Sequence, residues 1–128
     1  LDGFLDLFVR NGHELPPFAN GPDQLFRNRG NANHWVQMDL VGIQSNRNGI
    51  GARVVVTAGG VSQVRILDNG SHGRVQDFRR LHVGLGPHQH IERVRIEWPS
   101  GTVTEHQNLH ADRVWRFVEN GEASALSF

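Results

Sequence analysis

Residues 52–67 read ARVVVTAGGVSQVRIL, and this stretch decides the fold. Two apolar runs flank Gly59-Gly60, a two-residue connection whose glycines accept the positive φ of a tight primed turn. A β-hairpin is the direct expectation. Upstream, HWVQMDLVG alternates Val36, Met38 and Leu40 with Trp35, Gln37 and Asp39, the period of two that buries one sheet face. Downstream, Leu81, Val83 and Leu85 alternate with His82 and Gly84, and Val94, Ile96 and Trp98 alternate with Arg93, Arg95 and Glu97. Pro99 presets turn position i+1 and Gly101 takes the left-handed position, so EWPSGTV predicts a second hairpin. Near the end, RVWRFVE puts Trp115 and Phe117 on one face and Val114 and Val118 on the other, a strand covered on both sides. Asn48-Gly49 reads as further hairpin punctuation, a tight turn between apolar runs. No segment carries an apolar stripe at helical spacing over three turns. The chain therefore predicts an all-β, antiparallel β-sandwich of jelly-roll-like form.

Composition limits the partners. The 128 residues fit one domain plus a fragment. Thirteen basic residues, all Arg, balance thirteen acids, so formal charge is zero, and no broad field attracts nucleic acid or anionic lipid. The expectation is no nucleic-acid partner and no membrane insertion, since no apolar run reaches spanning length. An all-Arg surface favours planar, bidentate pairing with carboxylates. The absence of Cys excludes a disulfide framework and a thiol nucleophile. The expectation from the start of the sequence is a chain without a signal peptide, which a mature secreted chain would equally match.

Residues 1–30 have a different texture. DGFLDLFVRNG and QLFRNRG are short apolar runs separated by a loop, Gly12 to Asp23, that contains Pro16, Pro17 and Pro22, which predicts two strands joined by an irregular connection. The expected organisation is this hairpin at 1–30, the sandwich at 31–119 and a C-terminal tail at 120–128.

NHW, VGIQSNRNGIGARVVVTAGG, LHVGLG and VRIEWPSG follow the order and spacing of the ASPIC/UnbV domain, which the chain resembles over roughly Asn33 to Val118. One departure lies in DNGSHGRVQDF, where the family tends to place an aromatic residue before a Ser-Gln pair and this chain has Gly73, Arg74, Val75 and Gln76. The preceding segment resembles the end of an FG-GAP or VCBS-type repeat, the blade unit of β-propellers. That resemblance implies a calcium loop of the form D-x-D-x-D-G-x-x-D-L, of which Asp2, Gly3, Asp6 and Leu7 match the second half. Calcium takes six or more oxygens, so the resemblance implies calcium for the intact precursor rather than a resident cofactor here. Asp2 and Asp6 equally suit the capping of a strand end. The resemblance further implies the C-terminal part of a longer, secreted or cell-surface propeller protein, extracellular or periplasmic, with no catalytic activity established for the domain. Its UnbV branch implies an alternative role, accessory to secondary-metabolite biosynthesis of the enediyne type.

Candidate chemistry is sparse. His88, His90, His106 and His110 invite a metal test: His88 and His90 share a side of an extended segment, whereas His106 and His110 converge only in a helical turn. Ser45, Ser71 and Ser100 lie outside any nucleophile elbow, and Glu97 and Glu105 could face each other across the Pro99–Gly101 turn, with Glu97 ionised among arginines. No acid, base and nucleophile support one another, which predicts a non-enzyme. The best candidate binding surface is Asn46, Arg47 and Asn48, whose amides and guanidinium suit sugar hydroxyls or carboxylates, although turn chemistry at Asn48-Gly49 explains much of the same loop. Trp35, on the polar face of its strand, reads as a glycan platform or as a contact for the N-terminal strands. The expected function is non-catalytic recognition or assembly through a protein or glycan ligand. The rival is a structural subunit, a homo-oligomer joined by strand addition through the N-terminal strands.

Overall fold

The computed structural model describes residues 2–11, 21–68 and 79–127. Pro16, Pro17, Ser71, Gly73, Arg74, Val75 and Gln76 lie outside the described residues. The chain separates into two units, Leu1–Ala32 and Asn33–Phe128. In the first, β1 (Leu7–Val9) and β2 (Gln24–Phe26) pair antiparallel, with Phe8 opposite Leu25. Asp6 ties the ribbon's end by accepting the Asn28 N–H at 2.8 Å, while Asp2 accepts the Phe4 N–H at 3.1 Å.

The second unit is built from β3 (His34–Val41), β4 (Arg53–Ala58), β5 (Val61–Ile66), β6 (Leu81–Gly86), β7 (His90–Glu97), β8 (Val103–His110), β9 (Arg113–Val118) and β10 (Ala123–Leu126). They form two four-stranded sheets, ordered β10-β9-β3-β6 and β5-β4-β7-β8. Val36, Met38, Leu40, Val83, Leu85 and Phe117 of the first sheet share one buried cluster with Val54, Val56, Ile91, Val94, Ile96 and Leu109 of the second. The alternation of apolar residues thus makes the inner faces of a sandwich. No helix among the described residues is long and apolar enough to cross a membrane.

The hairpin expected at Gly59-Gly60 is present: Ala58 pairs with Val61, and the glycines stand at φ 59° and 74°. The Pro99–Gly101 turn joins β7 to β8, closed by the Gly101 N–H donating to the Trp98 carbonyl at 2.9 Å. Three features depart from the sequence reading. Pairing is antiparallel except between β3 and β9, which run parallel with Met38 opposite Trp115 and Leu40 opposite Phe117. Residues 120–128, expected as a tail, contain β10, which folds back on β9 after a turn with Asn120 at φ 60°. Asn48-Gly49 is a turn but not a hairpin, because it lies in the connection that carries the chain from β3 in one sheet to β4 in the other.

The outer face of the second sheet carries the arginines and acids. Glu97 accepts from Arg95 and from Arg53, and Arg95 also reaches Glu105 at 3.3 Å. Glu97 and Glu105 therefore do not form a carboxylate pair: Arg95 is the residue opposite Glu105 in the ladder. The Arg95 and Arg53 hydrogen bonds hold the Glu97 carboxyl below its ordinary range. At the open edge, β5 points Gln63 inward to donate to the Gly84 carbonyl of β6 at 2.7 Å, and Arg65 donates to Gln63. Inward polar side chains of this kind blunt an edge strand against unwanted pairing.

Candidate functional site

The β3–β4 connection is shaped by contacts that are close in space and partly remote in sequence. Gly42 donates to the Arg47 carbonyl at 3.1 Å and Gly49 to the Asn46 carbonyl at 2.8 Å. Gly42 permits this curl, since a Cβ there would lie 2.2 Å from the Asn46 carbonyl oxygen. Asn46 brackets Ile50 with both ends of its amide, donating to the carbonyl at 2.7 Å and accepting the N–H at 2.9 Å. Its side chain is therefore spent on the loop.

The remote contact is Glu119, at the end of β9 and only 2% exposed. Its Oε2 accepts the N–H groups of Ile43, Gln44 and Ser45 at 2.7, 2.7 and 2.8 Å. Its Oε1 accepts the Ser45 hydroxyl at 2.9 Å and the Ser100 hydroxyl at 2.5 Å. Ser45 Oγ in turn accepts the Ser100 N–H at 3.1 Å. One carboxylate thus fastens the crossover loop and the β7–β8 turn to β9. Burial raises its pKa, but the hydrogen bonds from Ser100, Ser45 and Ile43 outweigh this and bring it to about 2. Donors that favour the charged form account for the sign. An ionised carboxylate with both oxygens occupied has no capacity to act as a base near neutral pH, so the Ser45–Ser100–Glu119 cluster is a clamp.

What the clamp positions is an open cleft of about 410 Å³, lined by Asp39, Leu40, Val41, Arg47, Asn48, Arg79, Arg116 and Val118. The outer face of β3 and β9 forms its floor, with Val41 opposite Val118 and Asp39 opposite Arg116. Arg116 donates to Asp39 through Nε and Nη2, each at 2.9 Å. Arg79 donates to Asn48 Oδ1. No described residue engages the Arg47 guanidinium. Among the described residues three guanidinium groups face one carboxylate, a cationic lining, and such forks fit carboxylate, sulfate or phosphate oxygens bidentately.

The sequence-predicted residues are dispersed. Arg47 and Asn48 line the cleft, whereas Asn46 does not. Trp35 lies further along the outer face of β3, nearly parallel to the His82 ring at 6.0 Å. Asp112, at φ 56°, bonds to the Trp35 backbone and to His34 Nδ1. Asp2 and Asp6 each accept a backbone N–H in the first unit, and no group of three His, Cys, Asp or Glu among the described residues is arranged to hold a metal. His106 turns toward the core, 5.0 Å from the Phe117 ring, with its pKa lowered by burial. It does not meet His110. Sequence reasoning missed Glu119, Asp39, Arg79 and Arg116. The spacing of Asp39 and Arg116 on alternating outer positions was visible, but their pairing requires the parallel β3–β9 register.

Residues 42–124 match the family model described as ASPIC and UnbV. No curated protein matches the chain. The matched span begins at Gly42 and includes Arg47, Arg79, Ser100, Arg116 and Glu119, while Asp39, Trp35 and the first unit lie outside it.

Proposed function

The chain belongs to the ASPIC and UnbV family, and from that premise we propose that it is a non-catalytic recognition module acting outside the cytoplasm, whose cationic cleft holds an anionic group of a protein or glycan partner. The observation that carries the reading is the surplus of guanidinium in the cleft, with Arg47 unengaged by any described residue and set on a loop that Glu119 anchors. A preorganised loop spends little entropy on binding, so even a small anionic group gains useful affinity there. The Ser45–Ser100–Glu119 cluster supports the non-catalytic part, because its carboxylate is already committed to five donors.

Calorimetric titration with a uronate oligosaccharide and, separately, with a glutamate-rich peptide tests this reading. At least one should bind, weaken with added salt, and lose about ten-fold or more in affinity in Arg47→Ala/Arg79→Ala, the scale of a lost charge-assisted hydrogen bond. Failure of both to bind, or binding indifferent to the double substitution, would overturn it.

A structural role has its own support in the first unit, where Leu7, Phe8, Leu25 and Phe26 are all exposed on a two-stranded ribbon. Ribbons of this size are marginal alone and gain from an added strand. Sedimentation should then show concentration-dependent association that Phe8→Glu abolishes. A monomer at all concentrations would remove the structural reading.

A further inference from the structure

We infer that His90 and His110 form a two-histidine site for a single divalent transition-metal ion of the zinc, nickel or copper type. The inference is independent of the cleft and of the recognition reading. His90 and His110 are directly opposite each other at the β7–β8 ladder's far end from the Pro99–Gly101 turn. The Ala111 N–H donates to the Gln89 carbonyl at 3.0 Å, so the hydrogen bonds flank the His90–His110 pair rather than join it. This is the non-hydrogen-bonded type of antiparallel pair, in which the side chains approach most closely.

The phase of the strands puts both rings outside. Ile91 and Leu109 are buried, and their neighbours His90 and His110 are exposed. Between this pair and Val94–His106 the ladder changes phase in both strands, with Asn108 at φ 57°, so that His106 faces the core while His110 does not. The two outer rings have centroids 4.8 Å apart, tilted by 55°. Two imidazoles on one ion, with metal–nitrogen bonds of about 2.0–2.1 Å, place their ring centres roughly 4.5 Å apart at a right-angled geometry and roughly 5 Å apart at a tetrahedral one. The observed separation falls between these values, so side-chain rotation suffices and the backbone need not move.

The other described histidines are committed elsewhere. His34 Nδ1 contacts Asp112 at 2.6 Å, His82 stacks on Trp35, His106 packs on Phe117, and the His88 ring lies over Gly59. No described residue hydrogen-bonds a ring nitrogen of His90 or His110, and both rings are exposed, whereas the unpartnered His82 Nδ1 and His106 Nε2 are buried. Imidazole nitrogen suits borderline transition metals and is a poor ligand for calcium or magnesium. With two protein ligands, water fills the remaining positions, which makes the site open and exchangeable.

Calorimetry of the full chain with Zn²⁺ and Ni²⁺, beside Ca²⁺ as the oxygen-seeking control, tests the site. One zinc or nickel ion per chain should bind, calcium should not compete, and the melting temperature should rise with metal concentration. His90→Ala and His110→Ala should each weaken binding at least about ten-fold, while His88→Ala leaves it unchanged. Side-chain NMR signals of His90 and His110 should shift together on titration. Because both rings are exposed, melting of the metal-free variants checks that the fold survives. Metal binding indifferent to both substitutions, or equally lost in His88→Ala, would overturn the inference.

Discussion

The β4–β5 hairpin and the β3–β4 crossover are both tight, glycine-bearing connections, yet they are held by different means. In the hairpin, Gly59 and Gly60 adopt the conformation the turn needs and the adjoining strands do the rest. In the crossover, the backbone N–H groups of Ile43, Gln44 and Ser45 converge on a carboxylate from the other end of the unit. A locally coded turn can be exchanged among small residues. A remotely clamped loop stands or falls with one side chain, and here that loop carries Arg47 and Asn48.

Three substitutions sharpen this contrast. Glu119→Gln should have the largest effect, about 3 kcal/mol of stability, since it removes the buried charge that three backbone N–H groups and two hydroxyls address. Urea unfolding measures it, and a loss below about 1 kcal/mol would mean that the loop holds itself. The same variant has a pH signature. The folded carboxyl titrates at about 2 against an ordinary 4.5, so its contribution is complete above the higher value and is lost as pH falls toward the lower one. The native chain should lose stability across that acid window more steeply than Glu119→Gln.

Gly59→Ala should cost less, about 1–2 kcal/mol, from a left-handed residue that now carries a Cβ. That Cβ would also meet the His88 ring at 2.1 Å, whereas one on Gly60 meets nothing within 4 Å. Gly60→Ala should therefore have the smallest effect, about 1 kcal/mol. Equal losses at the two glycines would show that the His88 ring moves aside freely.

The same contrast explains what was legible in the sequence. Val36, Met38 and Leu40 announce a half-buried strand because sheet geometry alternates faces regardless of partner, and Gly59-Gly60 announces its turn because the requirement is local. Asn48-Gly49 announced a turn correctly but not that the chain changes sheets there, which depends on what β3 and β4 pair with. Ala123–Leu126 offered no β-branched or aromatic signal, and its strand exists because β9 presents an edge after the Asn120 turn. Glu119 was invisible as a clamp for a simpler reason: its partners are mostly backbone N–H groups, which leave no mark in the sequence. Arg47 and Asn48 were found because their loop advertises itself, while Asp39, Arg79 and Arg116 joined them only through tertiary register. His90 and His110 were noticed for metal chemistry, but in other combinations, since their pairing needs the β7–β8 alignment.

The parallel contact between β3 and β9 orders events on the ribosome. Asp39 and Arg116 are 77 positions apart, so β3 emerges and waits while most of the unit is still being translated. The β4–β5 and β7–β8 hairpins can form on emergence, but the seam between β3 and β9 closes only once Arg113–Val118 has followed. Until then the β3 edge that takes β9 is unpaired and the place of Phe117 in the core is empty, so a message cut short before Arg113 would yield a product bound for aggregation or degradation.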